Sequence, residues 1–208
     1  MASNTTQSAP PVPDYATTDL SAWGFAHGSN RDKHGVLYSK DRKTLIWGVR
    51  ATGRYEVAPT VTKIKNGAFC ESAIVELIIP PGVKKVPEWL CKDCASLRHV
   101  ELPHGALVIR RQAFEGCKSL SKIVIPAGVK SIQCRAFYGC DTLLTVDIPH
   151  GCQAEIGAFP WGCRLMTPEE GAAYRQQQVM EKYGNPELET VGMDDKATHK
   201  LPLPHTGK

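Results

Sequence analysis

The sequence predicts a solenoid: a mostly β chain wound into stacked coils, with a parallel ladder sheet, a β-hairpin capping its N-terminal end and a helix at its C-terminal end. Three observations predict it. A 23-residue unit recurs through the middle of the chain, each unit carries an apolar-x-apolar strand closed by proline, and an aromatic slot and a cysteine return at the same spacing. Repetition on this scale decides a fold before local propensity does, because one unit cannot bury its own apolar edge and must stack on its neighbours.

The units run VKKVPEWLCKDCASLRHVELPHG (83–105), ALVIRRQAFEGCKSLSKIVIPAG (106–128) and VKSIQCRAFYGCDTLLTVDIPHG (129–151). Before them, VTKIKNGAFCESAIVELIIPPG (61–82) fits with one residue deleted; after them, CQAEIGAFPWGC (152–163) begins another coil with one residue inserted before its cysteine. The strand column reads Leu77-Ile78-Ile79, Val100-Glu101-Leu102, Ile123-Val124-Ile125 and Val146-Asp147-Ile148, with Tyr55-Glu56-Val57 placed 22 residues earlier as a first rung. Apolar first and third positions around a variable middle one are the signature of a half-buried strand. Pro80, Pro103, Pro126 and Pro149 end the strands, since proline brings no N–H to the ladder. Two residues on, Gly82, Gly105, Gly128 and Gly151 are expected to supply a positive φ for the reversal. A second apolar pair follows (Val83/Val86, Val129/Ile132), then an aromatic slot at Phe69, Phe114, Phe137 and Phe159.

The pattern C-x-x-L-x-x-I-x-I-P-x-G-V-x-x-I-x-x-x-A-F in these units resembles the BspA-type (Treponema pallidum-type) leucine-rich repeat, over roughly residues 35–163. The resemblance implies a leucine-rich-repeat solenoid of the α/β horseshoe class, mostly β with short turns and 3-10 segments, acting as an interaction module, often as an adhesin or antigen on cell surfaces. The stretch HGVLYSKDRKTLIWGV (34–49) is similar to the segment that introduces such arrays. Val36-Leu37-Tyr38 and Thr44-Leu45-Ile46-Trp47 alternate around a polar four-residue connection, itself a hairpin signal, and are expected to cap the stack.

The domain plan is a flexible tail over 1–34, the repeat domain over 35–163, a capping helix over 164–184 and a second flexible tail over 185–208. Thr167, Pro168 and Glu170 form a capping box with proline at the first helical position, and Gly184 marks the stop. The apolar side of that helix is expected to lie against the open last coil. Both tails are rich in small, polar and proline residues and lack the apolar content to fold alone.

Eight cysteines are the one unusual count in a 208-residue composition that is 42% hydrophobic and 22% charged. Cys91-Lys92-Asp93-Cys94 has the spacing of a zinc or redox pair. The repeat accounts for it differently: Cys94 shares a column with Cys117, Cys140 and Cys163, and Cys91 fills the aromatic slot. No metal is therefore expected, and the column thiols should pack as small hydrophobes. Rungs about 4.8 Å apart do lie within disulfide reach should the chain meet an oxidising compartment. Cys70, Cys134 and Cys152 stand outside the main columns and are expected nearer the surface. The sequence contains none of GxSxG, HExxH, GxxxxGK[ST] or GxGxxG, so no catalytic or cofactor-binding residue is assigned and no cofactor is expected.

Net charge divides as −1 over 1–34, +3 over 35–60, +3 over 61–163 and −1 over 164–208. No segment concentrates basic charge, which argues against a nucleic-acid partner. No run of 18 apolar residues exists to span a membrane. MASNTTQSAPPVPDYATTDL has no apolar signal core, and Asp14 and Asp19 without an arginine in the first 30 residues do not suit a transit peptide. The expected location is cytoplasmic, with the cell surface as alternative.

Function in a solenoid is a surface, read from the columns that vary. Two outward columns do: Arg54, Glu76, His99, Lys122 and Thr145; and Glu56, Ile78, Glu101, Val124 and Asp147. This face is the candidate site for a protein partner. Ten side chains fall short of the roughly 20–30 per side of a standard interface, so His104, His150, the C-terminal helix or self-association would have to add area. A structural subunit role in a larger assembly is the alternative outside the recognition class.

Overall fold

The computed structural model describes residues 30–183. The expected tails lie outside them, except for residues 30–34, which are ordered against the hairpin: Arg31 bridges Leu37, and Tyr38 donates its N–H to the Asn30 carbonyl at 3.0 Å. Asp32 makes this entry turn rigid by accepting the N–H groups of His34 at 2.9 Å and Val36 at 3.0 Å. The hairpin follows as read: β1 (Leu37–Tyr38) and β2 (Thr44–Trp47) pair antiparallel.

Beyond the hairpin the strands of the coils lie along two sides of the stack and pair in parallel. The first, the ladder sheet, contains β3 (Thr52–Glu56) and later strands in its register. The second begins with β4 (Lys63–Ile64), which pairs parallel with β2 through Thr44↔Lys63 and Leu45↔Ile64. Thus the cap is hydrogen-bonded to the stack. Next in the chain come β5 (Ala73–Ile78), β6 (Lys85–Val86), β7 (His99–Glu101), β8 (Val108–Ile109) and β9 (Ser131–Ile132). They are followed by β10 (Thr145–Asp147), β11 (Gln153–Ala154) and β12 (Arg164–Met166). Strands β3, β5 and β7 form a parallel ladder in which Tyr55, Leu77 and Val100 stand in one register; on the second side β4 belongs to the hairpin sheet, and β6, β8, β9 and β11 form a separate parallel sheet. The connections are turns, with no 3-10 segment among the described residues.

Two sequence expectations change here. The ladder is not continuous: Ile123-Val124-Ile125 carries no strand pairing, and the sheet resumes only where β10 pairs with β12. Ile123 and Ile125 stay buried, so packing holds this rung without ladder hydrogen bonds. The final strand, β12, lies just past Cys163 and extends the array beyond the expected boundary at 163.

The second change concerns the glycine column. Only Gly151 has a left-handed φ, +72°; Gly82, Gly105 and Gly128 do not. Their lack of a side chain serves close approach between coils: a Cβ would fall 2.9 Å from the Val61 carbonyl oxygen at Gly82, 3.0 Å from that of Pro81 at Gly105 and 3.2 Å from that of Ala106 at Gly128. Within the coils left-handed residues recur in two other columns, Gly67, Trp89, Gln112, Arg135, Gly157 and Glu71, Asp93, Gly116, Gly139, Gly162. Their N–H groups bond to the next coil, as from Glu71 to Lys92 at 2.8 Å, Asp93 to Glu115 at 2.7 Å and Gly116 to Tyr138 at 2.8 Å. Glu71 holds φ at +58° with an exposed side chain. Glu71→Gly is therefore expected to raise stability by about 0.5–1 kcal/mol, the left-handed penalty of an L-residue exceeding the entropy cost of glycine. A lower urea midpoint than wild type would contradict it.

Inside, the columns read from sequence are buried. Phe69, Phe114 and Phe137 are fully buried; Phe137 stacks on Phe114 at 5.3 Å between centroids and on the partly buried Phe159 at 5.1 Å. The cysteine column does more than fill space. Cys94 Sγ–H donates to the Phe69 carbonyl at 2.9 Å, Cys117 to that of Cys91 at 3.0 Å and Cys140 to that of Phe114 at 3.1 Å. Each thiol thus gives a carbonyl of the previous coil a second donor beside the backbone N–H it already accepts, which an alkyl group could not do. Ser72 holds the same column in the first coil, 3.3 Å from the Cys94 sulfur.

The helix α1 (Pro168–Tyr183) starts as the capping box requires: Thr167 N–H donates to Glu170 Oε2 at 2.8 Å, and Glu170 N–H to Thr167 Oγ1 at 3.2 Å. Its first turn meets the last coil at Gly171, where a Cβ would lie 2.1 Å from an Asp147 carboxylate oxygen. From Ala172 onward the chain is a separate unit, so the expected docking of the whole helix is not described. No described helix is long and apolar enough to cross a membrane.

Candidate protein-binding face

The ladder strands alternate, and the alternation sorts the candidate residues. Tyr55, Leu77, Val100, Ile123 and Val146 turn inward and are buried, while none of the ten outward residues is. Register unites six of the ten on one continuous sheet: Arg54 lies beside Glu76 and Glu76 beside His99, with Glu56 beside Ile78 and Ile78 beside Glu101. Lys122 and Val124 sit on the unpaired rung, and Val124 is 68% exposed. Thr145 and Asp147 lie on β10, beyond that interruption.

The sequence reading missed Arg164, which pairs in register with Thr145 and extends the first column by one rung. Its signal was present: Arg164-Leu165-Met166 follows the last repeat cysteine.

Electrostatically the face is acid-rich, with Glu56, Glu76, Glu101 and Asp147 against Arg54 and Lys122. Arg54 and Glu76 form an ion pair of 3.2 Å whose side chains are 63% and 27% exposed, so it orients the two groups while contributing about 0–1 kcal/mol. Of the residues expected to enlarge the face, His150 Nε2 meets Glu169 Oε1 at 2.9 Å, and that hydrogen bond holds the Glu169 carboxyl below its usual range. His104 is exposed with no such tie to the helix.

All eight cysteines are free. Cys70, expected near the surface, is instead buried at 3% exposure, and desolvation pushes its thiol up to about 12. Cys134 and Cys152 are half-buried, as their place outside the columns suggested. Burial also raises Cys91 and moves Cys163 up to about 11. The contact with the Cys140 thiol, and after it burial, raise Cys117. Cys94 differs, because hydrogen bonds from Cys91 and Ser72 to its sulfur pull it down.

A stack of parallel coils with constant inward columns and a varying outward face defines a β-solenoid repeat protein. The BspA type leucine rich repeat region matches residues 54–160 in six copies, and the chain belongs to that family. Among solved structures it is similar to a leucine rich cell surface protein of Faecalibacterium prausnitzii A2-165, at 20% identity over 68% of this chain and 40% of that one, with a TM-score of 0.56. The pneumococcal vaccine antigen PcpA is similar at 20% identity over 66% of this chain and 37% of that one, with a TM-score of 0.53. The Treponema pallidum leucine rich repeat protein TpLRR shares 24% identity over 61% of each chain, with a TM-score of 0.48. This chain thus spans less than two thirds of each of these structures. No curated protein matches it.

Proposed function

We propose that this chain acts by binding another protein through the outward face of its ladder sheet, without chemistry of its own. The observation that carries the reading is the contrast between columns: the inward ladder residues Tyr55, Leu77, Val100, Ile123 and Val146 are all buried, whereas none of the ten outward residues is, and these change identity from rung to rung. Packing does not dictate those ten side chains, so they are free to serve recognition. The acid-rich balance suits a partner that presents basic or neutral groups. Nucleic acid and membrane are not the partners in this reading.

The proposed location is a reducing compartment such as the cytoplasm. In support, the thiols of Cys94, Cys117 and Cys140 serve as hydrogen-bond donors, which requires that they carry their hydrogens. A cell-surface role is the second reading, favoured by the description of one fold neighbour as a cell surface protein and of another as a vaccine antigen.

Charge reversal tests the face. Glu56→Lys with Glu101→Lys is expected to reduce partner capture at least several-fold relative to wild type in quantitative affinity purification, with thermal unfolding unchanged. Lys118→Glu, at an exposed turn position, serves as control and should capture normally. Equal loss in both variants, or no loss in the first, would remove the ladder face as the binding surface.

A further inference from the structure

The second sheet is broken at one place, and the break has a sequence cause. Its rungs are joined by a repeated donor position: Lys65 N–H bonds to the Leu45 carbonyl at 2.9 Å, Arg110 to Val86 at 3.1 Å, Gln133 to Ile109 at 2.9 Å and Glu155 to Ile132 at 2.9 Å. In the coil between Lys65 and Arg110 that position is Pro87, which has no N–H to give. Accordingly β4 ends one sheet and β6 begins the next, with no pairing between them.

The seam opens as a cleft of about 580 Å³, within the range of small-ligand sites. Lys63, Lys84, Lys85 and Arg110 line it together with Pro87 and Asn66, and no carboxylate does. Among the described residues none of the three lysines has an acidic partner within 4 Å; Arg110 alone has one, Glu88, at 3.8 Å. Lys84 is also positioned: its Nζ runs over Gly105, where a Cβ would stand 2.5 Å away. Four cations held around a cleft, three of them unpaired, raise the local concentration of anions and reward a ligand that neutralises them.

The size of the charged area selects the kind of anion. Lys63 and Lys85 occupy one column, but its later members are Val108, Ser131 and Gln153. In the donor column Arg110 gives way to Gln133 and then Glu155. The basic character is confined to the first coils and does not form a track along the solenoid, as a nucleic-acid strand would need. The net charge of 61–163 conceals this patch, because acidic residues elsewhere in the same segment offset its four cations.

We propose that the cleft at the β4/β6 seam binds a compact, multiply charged oxyanion, the phosphate or sulfate ester of a small molecule. The site is independent of the ladder face. Isothermal titration of the full chain with inositol hexakisphosphate and with sucrose octasulfate at low salt tests it. One molecule bound per chain is expected, weakening as salt rises, and the tighter of the two probes tells phosphate from sulfate. Lys63→Gln with Lys85→Gln is expected to weaken binding at least ten-fold, while Arg98→Gln with Lys118→Gln, the same change in charge at exposed positions elsewhere, shifts it less than two-fold. Circular dichroism melts verify that both variants are folded. Failure of both probes to bind, equal weakening by the two variants, or tighter binding of a single-stranded oligonucleotide with affinity growing with its length would each overturn the assignment.

Discussion

Phe137→Ala is expected to destabilise the protein by about 3–5 kcal/mol, the usual range for removing a buried phenylalanine. The site justifies the upper part of that range. Phe137 has no exposed surface and is sandwiched between near-parallel rings, with Phe114 at 5.3 Å and 9° and Phe159 at 5.1 Å and 12°. The neighbouring coils cannot collapse into the space, because backbone bonds fix their spacing on that side: Phe114 N–H to the Ala136 carbonyl at 2.8 Å and Phe137 N–H to that of Ala158 at 2.7 Å. Urea unfolding followed by circular dichroism measures the loss. Phe159→Ala supplies the contrast, since its ring is only partly buried at the end of the stack, and its cost should be clearly smaller. Equal costs would mean that the stack, and not the burial of each ring, sets the energy.

Tyr55→Phe is expected to cost about 1.5–3 kcal/mol, the range for a buried hydrogen bond to a charged group. Tyr55 Oη–H donates to Asp32 Oδ2 at 2.6 Å and accepts from Tyr38 Oη–H at 2.5 Å. With its other oxygen Asp32 holds the entry turn, so one hydroxyl links that turn, the hairpin and the first ladder strand. Burial raises both tyrosines and keeps them protonated, as the chain of donors requires. Removing the hydroxyl leaves the Tyr38 donor buried without its acceptor and Asp32 with one partner fewer. Hydrogen exchange should therefore speed up at the His34 and Val36 amides more than in the distal coils. A uniform change along the solenoid would show that the network is not local to the cap.

How much of this was legible in the sequence differs from feature to feature. Leu77, Val100 and Val146 could be placed in a core because the strand pattern repeats with a fixed period and the apolar members never change. The hairpin of β1 and β2 and the capping box at Thr167 were equally legible, since each is encoded within a few neighbouring residues. The ten face residues were readable as outward for the same reason as the inward ones, being their alternates. Whether they form one surface was not readable. The loss of pairing at Lys122–Ile125 follows from no proline or glycine in that strand, and nothing in its apolar pattern distinguishes it from the paired rungs.

The glycine column shows where local reading misleads. Glycine after proline suggested a positive φ, the commonest reason for glycine in a turn. At Gly82, Gly105 and Gly128 the reason lies in the adjoining coil, whose carbonyl oxygens approach too closely for a Cβ. Conversely Trp89, Gln112 and Arg135 adopt the left-handed conformation without being glycine, and only their register with Gly67 and Gly157 makes sense of it.

By itself the sequence determined the repeat, its period, the identity of the buried columns, the cap and the start of the helix, because each is a pattern along one chain of residues. The tertiary structure alone decided what happens between coils. It brought the repeat thiols against carbonyls of the previous coil, interrupted the ladder in the coil 106–128, let Pro87 open a seam in the second sheet and gathered cations from separate coils around it. Those features depend on which atoms of one rung meet which atoms of the next, a relation set by stacking that no single stretch of sequence contains.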